Sequence, residues 1–226
     1  MVTVPRSAHG ITALRWLVLA PHPDDETLGA GALIAQVSAA GRLAGLVYLT
    51  DGSGSHGPVD GRTGRLVAVR RREAATALFR LTGSRRAPPF YLDWKDAAPV
   101  APGTGAFGHA ARRLAALCRR RRVDGLAVTA LHEAHCDHAA AARLAYAVQA
   151  CAKRRVLVAE YCVWSDAPET RAFCSTRTLP MLPGKRRYAL QAHRSQLTAA
   201  LGPGFRLPPE RRRMSATDSL YMRRRP

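Results

Sequence analysis

Residues 15–26 read RWLVLAPHPDDE. After Arg15, Trp16 to Ala20 are a continuous apolar run, the pattern of a strand covered on both faces. The run ends directly in Pro21, His22, Pro23, Asp24, Asp25 and Glu26. One imidazole and three carboxylates therefore leave a strand end and enter a helix start. Burying so many ionisable groups is unfavourable unless something pairs them, and a divalent metal is the natural partner. Acids at a helix N-terminus also stabilise it through its dipole. That accounts for one or two of the three, and not for the histidine. His22 and Asp25 can converge on one metal, with Asp24 pointing beside it.

The same alternation continues outward from this segment. Residues 44–50 (AGLVYLT), 125–130 (GLAVTA) and 155–161 (RVLVAEY) read as further short buried strands, and 90–92 as another. Helical periodicity fills the intervals. Ala74, Ala77, Leu78 and Leu81 share one face, as do Leu114, Leu117 and Cys118, and again Ala140, Leu144, Ala147, Val148 and Cys151. Residues 27–40 read as a helix closed by Gly41. This order predicts an α/β protein, Rossmann-like, in three α/β/α layers with a mostly parallel sheet. Ligands in such folds sit at the carboxyl ends of the strands, which is where the active site is expected. Residues 51–64 and 88–108 read as long loops, the first rich in Gly and Ser and suited to shaping a substrate mouth.

The strand at 125–130 is followed by Leu131, His132, Glu133, Ala134, His135, Cys136, Asp137 and His138. His135 and His138 lie three residues apart, so on a helical turn they share a face. Asp137 can hold an imidazole tautomer from behind. His132 and Glu133 stay open between site residues and ordinary loop groups, and Cys136 reads as a bystander. Two histidines plus a carboxylate, with a position left open, is a catalytic rather than a structural zinc arrangement. Such a zinc polarises a carbonyl and activates water, while a nearby carboxylate takes a proton and a histidine returns one.

Residues 20–31 (APHPDDETLGAG) and 135–138 (HCDH) resemble the PIG-L/LmbE-like deacetylases, whose second motif is HPDH, with Cys136 standing here in place of Pro. Residues 50–56 (TDGSGSH), 70–74 (RRREA), 160–164 (EYCVW, Cys162 again for Pro) and 185–196 (KRRYALQAHRSQ) extend the likeness. The resemblance implies a hydrolase, zinc-dependent or using another divalent metal, that removes the acetyl group from an N-acetylglucosamine-type sugar or glycoconjugate. It implies His22, Asp25 and His138 as metal ligands and Asp24 as general base. His135 would stabilise the oxyanion or protonate the leaving amine, with Asp137 orienting that histidine. Arg70 would contact sugar hydroxyls. Trp164, just after a strand end, is a candidate for stacking on a sugar ring. An amidase of another N-acyl compound is the nearest alternative.

Length and composition set the remaining bounds. The 226 residues suit one domain, read as an N-terminal extension over 1–13, the deacetylase domain over 14–201, and a basic, loosely packed C-terminal extension over 202–226. The net charge is +19, but only three of the 35 basic residues are lysine, and asparagine is absent. That pattern reads first as genome composition. Its functional reading is an acidic partner such as an anionic glycan or glycolipid. The arginine runs are scattered and aromatics are few, which disfavours a nucleic-acid-binding protein. A dinucleotide site is also disfavoured, because Gly29 and Gly31 lack the third glycine of the fingerprint. Five widely spaced cysteines predict no disulfide framework. With no apolar run of membrane length and no signal-peptide pattern, the expected location is cytoplasmic.

Overall fold

The computed structural model describes residues 4–5, 7–56, 63–85, 88–169 and 171–224. Its centre is a seven-stranded sheet. In chain order the strands are β1 (Trp16–Ala20), β2 (Leu43–Thr50), β3 (Phe90–Trp94), β4 (Gly125–Thr129), β5 (Leu157–Tyr161), β6 (Phe173–Arg177) and β7 (Ser219–Arg223). The spatial order is β3-β2-β1-β4-β5-β7-β6. The first five are parallel, and β7 runs antiparallel to both β5 and β6. The helices are α1 (Ala8–Ala13), α2 (Asp25–Ala39), α3 (Thr63–Thr82), α4 (Gly105–Arg120), α5 (Cys136–Cys151), α6 (Lys185–Leu190) and α7 (Arg194–Leu197).

Alternate strand residues feed two cores, because successive side chains leave a strand on opposite faces. Leu17, Leu19, Val47, Leu49 and Val128 pack with Phe107 and Leu114 of α4 and Leu144 and Val148 of α5. Trp16, Val18, Leu46, Tyr48 and Ala159 pack on the other side with Leu33 and Ile34 of α2 and Leu78 and Leu81 of α3. The expected three-layer α/β/α arrangement is thus what forms.

The reading of the C-terminal end needs correction: residues 202–224 are not loosely packed. Strand β7 lies inside the sheet between β5 and β6, and its Leu220 and Met222 are fully buried. Alternation of large apolar residues with Ser219 and Tyr221 makes it a strand despite the neighbouring arginines. Residues 1–13 also contain structure: Ile11 of α1 is buried, and its carbonyl accepts the Trp16 indole N–H at 2.8 Å. The stretch 88–108 is not all loop, since β3 and the first turn of α4 fall within it.

Helix α2 bends at Ala30 (φ −131°, ψ 15°). A bend frees backbone groups that must find partners elsewhere. Arg186 of α6 donates to the carbonyls of Thr27 and Leu28 at 3.0 and 2.9 Å. Asp218, just before β7, accepts the Leu33 N–H at 2.8 Å and pairs with Arg186. The late chain thereby braces the helix that begins at Asp25. Gly29 on that helix lies against the Tyr161 ring, where a Cβ would collide with it.

Candidate metal centre and catalytic pocket

Three strand ends assemble the site: β1 leads into His22–Asp25, β3 into Asp96 and Ala97, and β4 into Glu133–His138. His22 Nδ1 lies 3.1 Å and His138 Nε2 3.3 Å from the same oxygen, Asp25 Oδ2. The backbone N–H of His22 also donates to that oxygen at 2.9 Å. His22, Asp25 and His138 are all buried and face one point. His135 brings a ring nitrogen within 4.8 Å of those of His22 and His138. Its side chain is 41% exposed, so it also borders the cavity. Asp25, wedged between the two buried imidazoles, is the carboxylate placed to join them at a divalent ion.

Each of those two imidazoles backs onto another acid. His22 Nε2 is 2.9 Å from Asp137 Oδ2 and 3.3 Å from Asp96 Oδ1. His138 Nδ1 faces Glu133 Oε2 at 3.6 Å. The assignment of Asp137 therefore changes. Asp137 was expected to orient His135, but its carboxylate is 3.8 Å from His135 Nδ1 and closer to His22. The physical reason is placement. Asp137 sits buried in the first turn of α5, pointing inward across the sheet top, and the Ala97 N–H fixes the same oxygen at 2.8 Å. His135 is the N-cap of that helix and accepts the Asp137 N–H through its ring at 3.2 Å.

Asp24 precedes α2 with φ 141° and ψ −31°, a strained conformation for a residue with a side chain. Its N–H donates to Glu26 Oε2 at 3.0 Å, and Glu26 is held in turn by His193 at 3.2 Å. Arg70 is buried, donates to the carbonyls of Gly52 and Pro23 at 2.8 and 3.0 Å, and lies 3.8 Å from Asp24 Oδ1. Arg71, next to it in the sequence, points away and pairs with Asp93.

The charge balance is the feature that fits a cation. Asp24, Asp25, Asp96, Glu133 and Asp137 are five buried carboxylates around the pocket, and the one buried guanidinium among the described residues there, Arg70, lies near only Asp24 and Asp96. Burial and the Asp25 charge push the Asp24 carboxyl up to about 7, with Arg70, His193 and His22 partly opposing. Burial also opposes ionisation of Asp25, but His138 and His22 more than offset it and hold that carboxyl far below the usual range. His138 is raised to about 9: burial lowers it, and Asp25 and Glu133 outweigh burial. Asp96, against burial, is lowered to about 2 by His22, Arg70 and the Gly54 N–H. Burial and the charges of His22 and His138 lower His135. So much negative charge out of water needs a counter-ion that the protein itself only partly supplies.

His22, Asp24, Asp25, Arg70, Asp96, His135 and His138 line a cavity of about 210 Å³ together with Trp164, Gln196 and Phe205, with Glu133 and Asp137 behind them. The Trp164 and Phe205 rings meet edge to face at 6.0 Å. Gly54 and Ser55 also line it; residues 57–62 of the long loop lie outside the described residues. Every site residue expected from the sequence reaches this cavity or the groups directly behind it. Asp96, Gln196 and Phe205 were missed. Asp96 follows the end of β3, so the strand-end rule that found the other two segments locates it as well.

A family model for PIG-L, GlcNAc-PI de-N-acetylase, matches residues 17–149. No curated protein matches the chain in sequence. Among solved structures, N,N'-diacetylchitobiose deacetylase from Pyrococcus horikoshii is similar at 20% identity and TM-score 0.61, over 81% of this chain and 71% of that one. The A40926 pseudoaglycone deacetylase Dbv21 is similar at 16% identity and TM-score 0.65, over 94% and 98%. GalB, the 4-carboxy-2-hydroxymuconate hydratase of Pseudomonas putida KT2440, is similar at 18% identity and TM-score 0.56, over 85% and 80%. At such identities the likeness is one of fold, and this fold serves more than one reaction. The family model, by contrast, spans more than half of the chain and both histidine segments, and on that match the chain belongs to the PIG-L family.

Proposed function

We propose that the protein is a metal-dependent hydrolase that removes the acetyl group from an N-acetylglucosamine-type sugar or glycoconjugate, releasing acetate and a free amine. The observation that carries this reading is the convergence of His22, Asp25 and His138 beside Asp24 on one cavity. His22 Nδ1, Asp25 Oδ2 and His138 Nε2 would hold the ion. A bound zinc supplies Lewis acidity at the acetyl carbonyl and lowers the pKa of water to about 7.

The chain's own residues then have separate tasks. Asp24, whose carboxyl burial and the Asp25 charge raise in the metal-free protein, takes a proton from the attacking water, and a bound cation favours its ionised, proton-accepting form. The water oxygen bonds to the carbonyl carbon, and the electron pair moves onto the carbonyl oxygen. His135 faces the cavity, and its lowered pKa keeps it neutral near pH 7, able to donate an N–H to that oxygen. When the tetrahedral centre collapses, the C–N bond breaks and the nitrogen takes the proton that Asp24 accepted from the water, leaving acetate and the amine with Asp24 ionised again. Asp137 and Asp96 hold His22 in place. Trp164 and Phe205 offer apolar ring edges to a sugar. The cavity is smaller than the roughly 300–1,000 Å³ of drug-sized sites, which suits one sugar residue with the rest of the substrate outside.

The test is a panel of N-acetylglucosamine, its glycosides and N-acetylated glycolipids incubated with zinc-loaded protein. The expected outcome is acetate and primary amine in equal amounts from at least one of them. No acetate from any member, with the metal site filled, contradicts the reading.

A further inference from the structure

Glu133 is unassigned by the reaction just described, yet it is buried and touches both halves of the site. Its two oxygens have different partners. Oε1 accepts the backbone N–H groups of Val163, Trp164 and Ser165 at 2.6, 3.0 and 3.3 Å. Oε2 lies 3.2 Å from the Trp164 nitrogen and faces His138 Nδ1 at 3.6 Å. Three successive N–H groups on one carboxylate fix its orientation, because they are donors and tolerate only an acceptor. The other ring nitrogen of His138, Nε2, points the opposite way, to Asp25.

An imidazole binds a metal through a nitrogen lone pair, so its proton must sit on the other nitrogen. The nitrogen that faces an anionic acceptor is the one that keeps the proton. We propose that Glu133 is a positioning residue that selects the Nδ1–H tautomer of His138, leaving Nε2 free for the metal, while its other oxygen anchors the Trp164 wall. This rests on the metal-centre reading above. The distance of 3.6 Å is that of a charge contact rather than a formed hydrogen bond, so the negative charge on Glu133, not its shape, does the selecting.

That distinction gives the experiment. In Glu133→Gln the amide oxygen must stay on the three N–H groups, because the amide nitrogen cannot accept from them. The amide NH2 then faces His138 Nδ1 as a donor and drives the proton to Nε2. Zinc affinity, measured by competition with a chromophoric chelator, should fall about 10- to 100-fold. The metal-free melting temperature should stay within a few degrees of wild type. A residue that only filled space and held the loop would leave zinc affinity unchanged in this isosteric variant, and that result overturns the proposal. Nitrogen-15 spectra of zinc-loaded wild type provide a second measurement independent of the variant's folding: a proton on His138 Nδ1 is expected, and coordination through Nδ1 contradicts it. Wild type that takes up no zinc removes the metal-centre reading itself, a result distinct from wild type and variant binding equally well.

Discussion

Asp24 owes its proposed role to its neighbours. An aspartate in water ionises near pH 4, but here burial and Asp25 raise the carboxyl to about 7. In the metal-free protein a titration of that carboxyl followed by NMR should therefore centre near 7, and a midpoint near 4 would deny Asp24 this environment. A bound divalent ion favours the ionised form, the one that accepts a proton. Residue identity alone gave part of this picture. His22, Asp24, Asp25, His135 and His138 were legible because histidine and acid cluster at strand ends, where little else explains them. The partner of Asp137 was not legible. Its sequence neighbour His135 looked right, whereas its nearest imidazole, His22, is 115 residues away in the chain. Contacts of that separation follow from the sheet, not from local spacing.

The elements show why the late chain matters to a site made largely from the early chain. The bend in α2 leaves the carbonyls of Thr27 and Leu28 and the N–H of Leu33 to be satisfied by Arg186 and Asp218. Arg186→Met would strand Asp218 as a buried, unpaired carboxylate, and breaking such a pair from one side costs about 3–5 kcal/mol. Chemical denaturation should register a loss of that size, and a loss below 1 kcal/mol would mean the bend is braced by other contacts. Strands β1, β2, β4 and β5 were legible as apolar runs because both of their faces are covered. Strands β6 and β7 were not. They lie on the antiparallel side of the sheet and carry Ser, Thr and Arg beside their buried residues; β6 offers no apolar run, and β7 reads as part of the arginine-rich C-terminal end.

Across the whole molecule, the net charge of +19 separates from the chemistry. The acids are few, and five of them are buried around one small pocket. Arginines serve several ends. Arg70 and Arg186 are internal, while Arg15, Arg42, Arg120, Arg121, Arg122 and Arg154 surround a cavity of about 840 Å³ at the opposite end of the strands. Arg211 lies over the Trp164 ring at 5.4 Å. Among the described residues such a distribution is no continuous stripe for nucleic acid. No helix among the described residues is long and apolar enough to cross a membrane. What defines the molecule is the acidic pocket, in which the proposed metal ligands have the proposed base beside them. The most direct measurement of that claim compares wild type with Asp24→Asn, scoring bound zinc and released acetate on the same samples. Zinc content should be unchanged while acetate release falls about 100-fold or more; wild-type turnover in the variant would contradict the account.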